Sequence, residues 1–207
     1  MGLRIWGRLS SVNVQKVVWC CDELGLEYER VDAGGTFGKT KTPEYLAMNP
    51  NSLVPVIEDE GFVLYESNAI VRYLAAKHPA AGLWPGDLRR RAEADRWMEW
   101  QSTELTPGTK DAFWGLIRTP EDKRDAAAIE ASRAKTERYA AILDGVLASR
   151  PYVAGDTFTI ADIVCGCAAH RWLNMPVART PRPHLERWYA SLKSRPASRQ
   201  VTSLALT

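Results

Sequence analysis

Two short polar clusters interrupt apolar stretches of this 207-residue chain. In GRLSSVNVQK, Ser10, Ser11 and Asn13 fall where a helical pattern begins. In FVLYESNAI, Glu66 and Ser67 separate a strand-like apolar run from the helical pattern AIVRYLAAKH. A Ser or Asn in such a place can be an N-cap, its side-chain oxygen accepting from an orphan backbone N–H. The same place also suits an anion, because hydroxyl, amide and helix N-terminus all favour negative charge. Ser11 has no matching His and acid nearby, so the sequence gives no support for a hydrolase triad. Between the clusters, Pro55 interrupts the strand pattern LVPVIED, where it removes a ladder donor and belongs at an edge, a bulge or a turn. A cis Val54–Pro55 bond would turn the chain sharply and leave the main-chain groups of Val54 free, although X-Pro bonds are mostly trans and spacing alone does not favour cis.

The remaining reactive residue types point to less. The four cysteines occur as Cys20-Cys21 and Cys165-x-Cys167 in apolar stretches. Neither pair has C-x-x-C spacing, so they read as small buried thiols of a reducing compartment. His78, His170 and His184 are too scattered for a metal site, and no metal is expected. With 27 basic and 25 acidic residues the net charge is +2, which gives no general attraction for nucleic acid or for an anionic membrane. No apolar run approaches the roughly 20 residues that span a bilayer, and MGLRIWG is too short and broken for a secretory segment. A cytoplasmic location is the expectation.

The elements that must position these residues follow from periodicity. LRIWG reads as a buried strand, and apolar positions 14, 17, 18, 21 and 24 continue as a helix ending at Gly25. YERVD gives a second strand, AGGTFGKTKT a Gly-rich loop, and PEYLAMN a short helix starting on Pro43. Two strands around an acidic Gly turn and the helix near Ser67 complete β-α-β-α-β-β-α by about residue 78. Pro79, Gly82, Pro85 and Gly86 then mark a linker over 79–86, between a domain at 1–80 and an all-helical domain at 86–207. Long helices are expected over 87–115 and 121–149, separated at Thr119-Pro120, with further helix starts at Thr159 and near Pro183. In TIAD, Thr159 and Asp162 fit a capping box of structural purpose.

The stretches SSVNVQKV, NPNSLVPVIED, YESNAIVRYLA and GDTFTIADI resemble the cytosolic glutathione transferases over essentially the full length, most closely the serine-type bacterial theta-like and nu-like members. The resemblance implies an α/β thioredoxin-like N-terminal domain joined to an all-α C-terminal domain, with cis-Pro55. It implies glutathione as co-substrate: Ser67 gripping the α-carboxylate through hydroxyl and backbone N–H, Glu66 meeting the ammonium, Val54 pairing its main chain with the cysteinyl unit, and Pro55 shaping that edge. Lys39 or Lys41 would reach the glycyl carboxylate. Ser11, with Asn13 or Ser10 as alternatives, would stabilise the thiolate, which would attack a small apolar electrophile. Glutathione-dependent peroxide or disulfide reduction is the alternative within enzymes, and a non-catalytic binding module the alternative outside them.

The second substrate is expected between the domains. Phe113 and Trp114 are candidates for its apolar wall, while Trp97 and Trp100 share a helix face suited to core or subunit contact. Arg89, Arg90, Arg91 and Arg96 read as a solvated face or as a contact in the family's usual homodimer. Two departures from the family stand out. Ser52 occupies a position that is often Gly, and position 11 carries neither Tyr nor Cys, which argues against the cysteine-type branch.

Overall fold

Leu3–Trp6 forms strand β1, whose alternate residues Leu3 and Ile5 are buried on one face while Arg4 and Trp6 point to the other. A computed structural model describes residues 2–207 of the chain. From β1 the chain passes through helix α1 (Val12–Glu23) to β2 (Tyr28–Val31), which returns parallel to β1. It then forms the short helix α2 (Pro43–Met48) and the hairpin strands β3 (Val56–Asp59) and β4 (Phe62–Tyr65), giving the sheet order β2-β1-β3-β4 with β3 antiparallel to both neighbours. Ile5 lies opposite Ile57, and Trp6 opposite Val56. The Trp6 and Val56 face packs with Tyr45, Met48 and Ala33 into a small core beneath α2. Helix α3 (Ser67–Lys77) packs against α1, with Ile70, Val71, Leu74 and Ala75 of α3 and Val14, Val17 and Val18 of α1 buried. Pro55 lies immediately before β3 rather than inside it, so its missing N–H costs the ladder nothing. The Val54–Pro55 peptide is cis.

The chain divides into two units, the first ending at Trp84 and the second beginning at Pro85. The second unit is helical. Helix α4 (Leu88–Trp100) starts on an Asp87 cap, whose Oδ1 accepts from the Arg90 N–H at 2.9 Å. A π-helical turn over Gln101–Leu105 follows, then α5 (Thr106–Phe113) and a second π turn over Trp114–Arg118. The helical path thus runs three residues beyond the expected end at 115, stopping at Thr119 ahead of Pro120. Pro107 gives the first π turn a cause: a proline within a helix lacks the donor of the i→i−4 bond and crowds the carbonyl one turn back, so the preceding turn widens.

Helix α6 runs Ala126–Leu147, beginning five residues later than the composition of 121–125 suggested. Asp125 fixes that start by accepting from the Ala128 N–H at 3.0 Å, and Glu121–Lys123 form only a 3-10 turn. Helix α7 (Ile160–Asn174) is buried along most of its length and carries the expected capping box. Helix α8 (Pro183–Lys193) and the short α9 (Arg199–Thr202) complete the unit.

One close approach gives a direct test of this packing. A Cβ on Gly108 of α5 would stand 2.6 Å from Cε2 of Tyr139 on α6. Tyr139 is fixed there by its hydroxyl bond to Glu104 and by the Trp100 ring, whose centroid is 5.7 Å away. Gly108→Ala should therefore destabilise the protein by about 1–3 kcal/mol, seen as an earlier midpoint in urea. An unchanged midpoint would mean that the two helices yield without cost.

Candidate functional site

The first unit gathers its polar clusters where β1 ends. The parallel ladder continues past the strand through Gly7 N–H to Val31 O at 2.8 Å and Arg8 N–H to Ala33 O at 3.0 Å. The chain then turns into α1, with Ser11 N–H donating to Arg8 O at 3.1 Å. Ser11 holds the N-cap position with extended backbone (φ −84°, ψ 122°), yet its side chain makes no capping bond. Its hydroxyl is not spent on the helix. Ser10 lies in the preceding turn and Asn13 in the first helical turn, both half-buried. Gly7 brings the segment against Val54: a Cβ there would sit 2.4 Å from Val14 Cγ2 and 3.3 Å from Val54 Cβ.

Val54 is held from behind. The Leu53 carbonyl accepts from the Tyr45 hydroxyl at 2.8 Å and from Asn49 Nδ2 at 2.9 Å, and Asn49 is itself buried and accepts from the Asn51 N–H at 3.0 Å. Burial of Tyr45 pushes its phenol up to about 12, so it is a neutral donor at all physiological pH. Ser52 has φ +58°, the left-handed conformation that favours glycine, and its hydroxyl donates to Thr40 O at 2.7 Å. That bond anchors the turn.

At the third corner, Glu66 rather than Ser67 occupies the cap of α3, with φ +70° and no side-chain capping bond. Ser67 is the first helical residue and is buried. Of the two readings open to Ser67 in the sequence, the cap is therefore not the one it takes, because the left-handed residue before it supplies the chain reversal. Non-glycine residues in this conformation cost about 1–3 kcal/mol and cluster where a site needs them. The first-turn N–H groups of α3 lie beyond the reach of intrahelical acceptors, which suits an anion. Lys16 of α1 is buried, and its Nζ donates to Asn68 Oδ1 at 3.2 Å, tying the starts of the two helices together.

The other expected residues are placed differently. Lys39 (φ +67°) and Lys41 are exposed, and Lys39 lines a groove of about 460 Å³ with Trp6, Thr42, Tyr45 and Met48 on the α2 face. No contact joins either lysine to Ser11, Val54 or Ser67 among the described residues. In the second unit Phe113 is only 1% exposed, its ring covered by the Arg171 guanidinium at 3.7 Å and by Arg118 at 4.9 Å. It therefore offers no open wall to a substrate. Trp114 is half exposed, with Arg118 at 4.6 Å from its ring, and keeps that possibility. Trp97 is buried and meets Trp100 edge to face at 5.2 Å, the packing role expected of that pair. All four cysteines are buried and none is in a disulfide, and burial pushes the Cys20 and Cys21 thiols well up. Among the described residues, no group of three His, Cys, Asp or Glu is arranged to hold a metal, and no helix is long and apolar enough to cross a membrane.

A mixed four-stranded sheet flanked by α1, α2 and α3, with a cis-proline before the third strand, is a thioredoxin-like unit; a helical unit follows it. The chain matches the family description "Glutathione S-transferase, N-terminal domain" over residues 1–76 and "Glutathione S-transferase, C-terminal domain" over residues 105–196. It belongs to the glutathione S-transferase family. It is 42% identical to glutathione S-transferase GstB of Escherichia coli (strain K12) over 99% of this chain and all of the relative. It is 31% identical to the probable glutathione S-transferase GSTF2 of Oryza sativa subsp. japonica, over 98% of this chain and 96% of the relative. The theta class glutathione S-transferase from Xanthomonas axonopodis pv. citri, solved with glutathione bound, superposes with a TM-score of 0.96 at 44% identity, covering 100% of this chain and 99% of that one.

Proposed function

We infer that this protein is a glutathione transferase, which binds reduced glutathione on its first unit and presents the thiolate to an apolar electrophile. The observation that carries the reading is the Ser11 hydroxyl, set at the start of α1 without a capping bond and close along the chain to Gly7, which packs against Val54. In this reading Ser67 and the start of α3 hold the γ-glutamyl carboxylate, Glu66 meets the ammonium, and the main chain of Val54 pairs with the cysteinyl unit as a short added strand. Pro55 shapes that edge. Lys39 or Lys41 would serve the glycyl carboxylate only through the loop that carries them, and Trp114 remains the candidate for an electrophile contact. Ser11, assisted by Asn13 or Ser10, stabilises the thiolate, the reactive form of the thiol.

The energy required is modest. Lowering a thiol pKa by about two units takes about 2.7 kcal/mol. A hydrogen bond to a charged group contributes about 1.5–3 kcal/mol, and a helix N-terminus about 0.3–1 kcal/mol. One hydroxyl and α1 suffice without a protein base. The thiolate then forms the C–S bond by aromatic substitution, conjugate addition or displacement of halide. Conjugation of this kind would serve detoxification in the cytoplasm, and the working form would be a homodimer.

The test is a pH titration of the ultraviolet thiolate absorbance of glutathione with saturating protein. Bound glutathione should ionise about two pH units below the free thiol. Absence of bound thiolate at neutral pH would overturn the transferase reading and leave a ligand-binding role for the same fold.

A further inference from the structure

We propose that Arg8 gives the second substrate a fixed cationic anchor, so that the enzyme prefers electrophiles that carry a carboxylate. This inference rests on the transferase reading above and adds the charge of the second substrate to it. The main chain of Arg8 is fixed on both sides, its N–H on Ala33 O at 3.0 Å and its carbonyl accepting from Ser11 N–H at 3.1 Å. The side chain lies across two successive glycines. A Cβ on Gly34 would be 2.8 Å from Nη1, and one on Gly35 would be 3.1 Å from Nε and 3.3 Å from Cζ. Gly34 and Gly35, at φ +79° and +59°, thus leave a bare shelf on which the guanidinium rests.

The same point above Gly34 is 3.3 Å from Val54 Cγ1. The guanidinium therefore flanks the residue assigned to the cysteinyl unit and precedes the assigned thiolate contact, Ser11, by three positions. Other arginines of this unit are occupied: Arg4 pairs with Glu29, and Arg30 with Asp32 and with the Gly7 carbonyl. Among the described residues, the Arg8 side chain has neither a hydrogen bond nor an ion pair. Its planar fork of donors matches a carboxylate in two parallel bonds. In the reading above the γ-glutamyl carboxylate of glutathione falls to Ser67 and its glycyl carboxylate to the loop of Lys39 and Lys41, so the anion assigned to Arg8 is that of the incoming electrophile.

The experiment compares 4-(bromomethyl)benzoic acid with its methyl ester, two benzylic bromides that differ in charge. In each, the glutathione sulfur forms a bond to the benzylic carbon while the C–Br bond breaks and bromide leaves with its electron pair. Arg8→Met should lower kcat/KM for the acid about tenfold more than for the ester. Arg8→Lys, which keeps the charge without the fork, should recover part of that preference. Equal loss on both substrates would overturn the proposal by assigning Arg8 to the thiolate. A raised KM for glutathione with an unchanged acid-to-ester ratio would overturn it by assigning Arg8 to the glycyl carboxylate. If the native protein turns over neither bromide although bound glutathione is ionised, the proposal fails alone. If no bound thiolate forms, it fails together with the transferase reading.

Discussion

Asp162→Ala should destabilise the second unit by about 3–5 kcal/mol, a large share of the stability of an ordinary domain. The Asp162 side chain is fully buried and accepts from Val153 N–H at 2.9 Å, Thr159 N–H at 3.0 Å and Trp188 Nε1–H at 3.0 Å. It therefore ties the segment before α7, the cap of α7 and the face of α8 to a single carboxylate. Truncation strands three buried donors, each costing about 1–3 kcal/mol when unsatisfied, and the losses overlap rather than add. Burial pushes the Asp162 carboxyl up to about 6, opposed by those same donors. The folded state therefore binds the proton more tightly than an unfolded aspartate near 3.9. The contribution of this group to stability is greatest below about pH 4 and is lost as pH rises through about 6. Urea melts across that range should show Asp162→Asn without this slope and Asp162→Ala with the largest drop. A midpoint for Asp162→Ala close to that of the native protein would show that water or a shift of α8 satisfies the donors.

Ser11→Ala should act on chemistry and hardly on folding. A serine that caps a helix costs about 0.5–2 kcal/mol when removed, but Ser11 makes no capping bond, so the melting temperature should stay close to that of the native protein. The thiol of bound glutathione should instead rise by about 1–2 pH units, the equivalent of one charge-assisted hydrogen bond. At neutral pH kcat/KM should fall about 10–100-fold, and the deficit should shrink as pH rises past the new thiol pKa, because substrate then ionises without help. A pH–rate profile alongside the thiolate titration separates the effects. An unchanged profile would move the role to Ser10 or Asn13, and a large loss of stability would restore the cap.

Much of the fold was legible because its elements obey simple periods. The alternation in LRIW, the helical spacing of Val14, Val17, Val18 and Cys21, and the Thr159–Asp162 box all produced the elements they suggest. What was not legible depends on partners distant in the chain. Phe113 looks like an open aromatic on its own helix, but Arg171, 58 positions later, covers it. The Lys16–Asn68 bond joins residues 52 positions apart, and no local pattern in the sequence announces it. Some misreadings were local. Glu121-Asp122-Lys123 has helical composition, yet Pro120 and the Asp125 cap delay α6. Pro107 was a signal for the π turn that the aromatic pattern around it obscured. Of the candidate site, the polar residues and their order along the chain are on view in the sequence, while the left-handed Glu66 and the buttressing of Leu53 by Tyr45 and Asn49 required coordinates.

The burial of Cys20, Cys21, Cys165 and Cys167 has a practical side. With every native sulfhydryl shielded, the folded chain behaves at the bench as a cysteine-free protein: maleimides and iodoacetamides should find no target on it until it unfolds. Any alkylation in a native assay then belongs to glutathione, and a single cysteine introduced on the exposed surface becomes a unique attachment point for a fluorophore or spin label, with no need to strip the protein of its own.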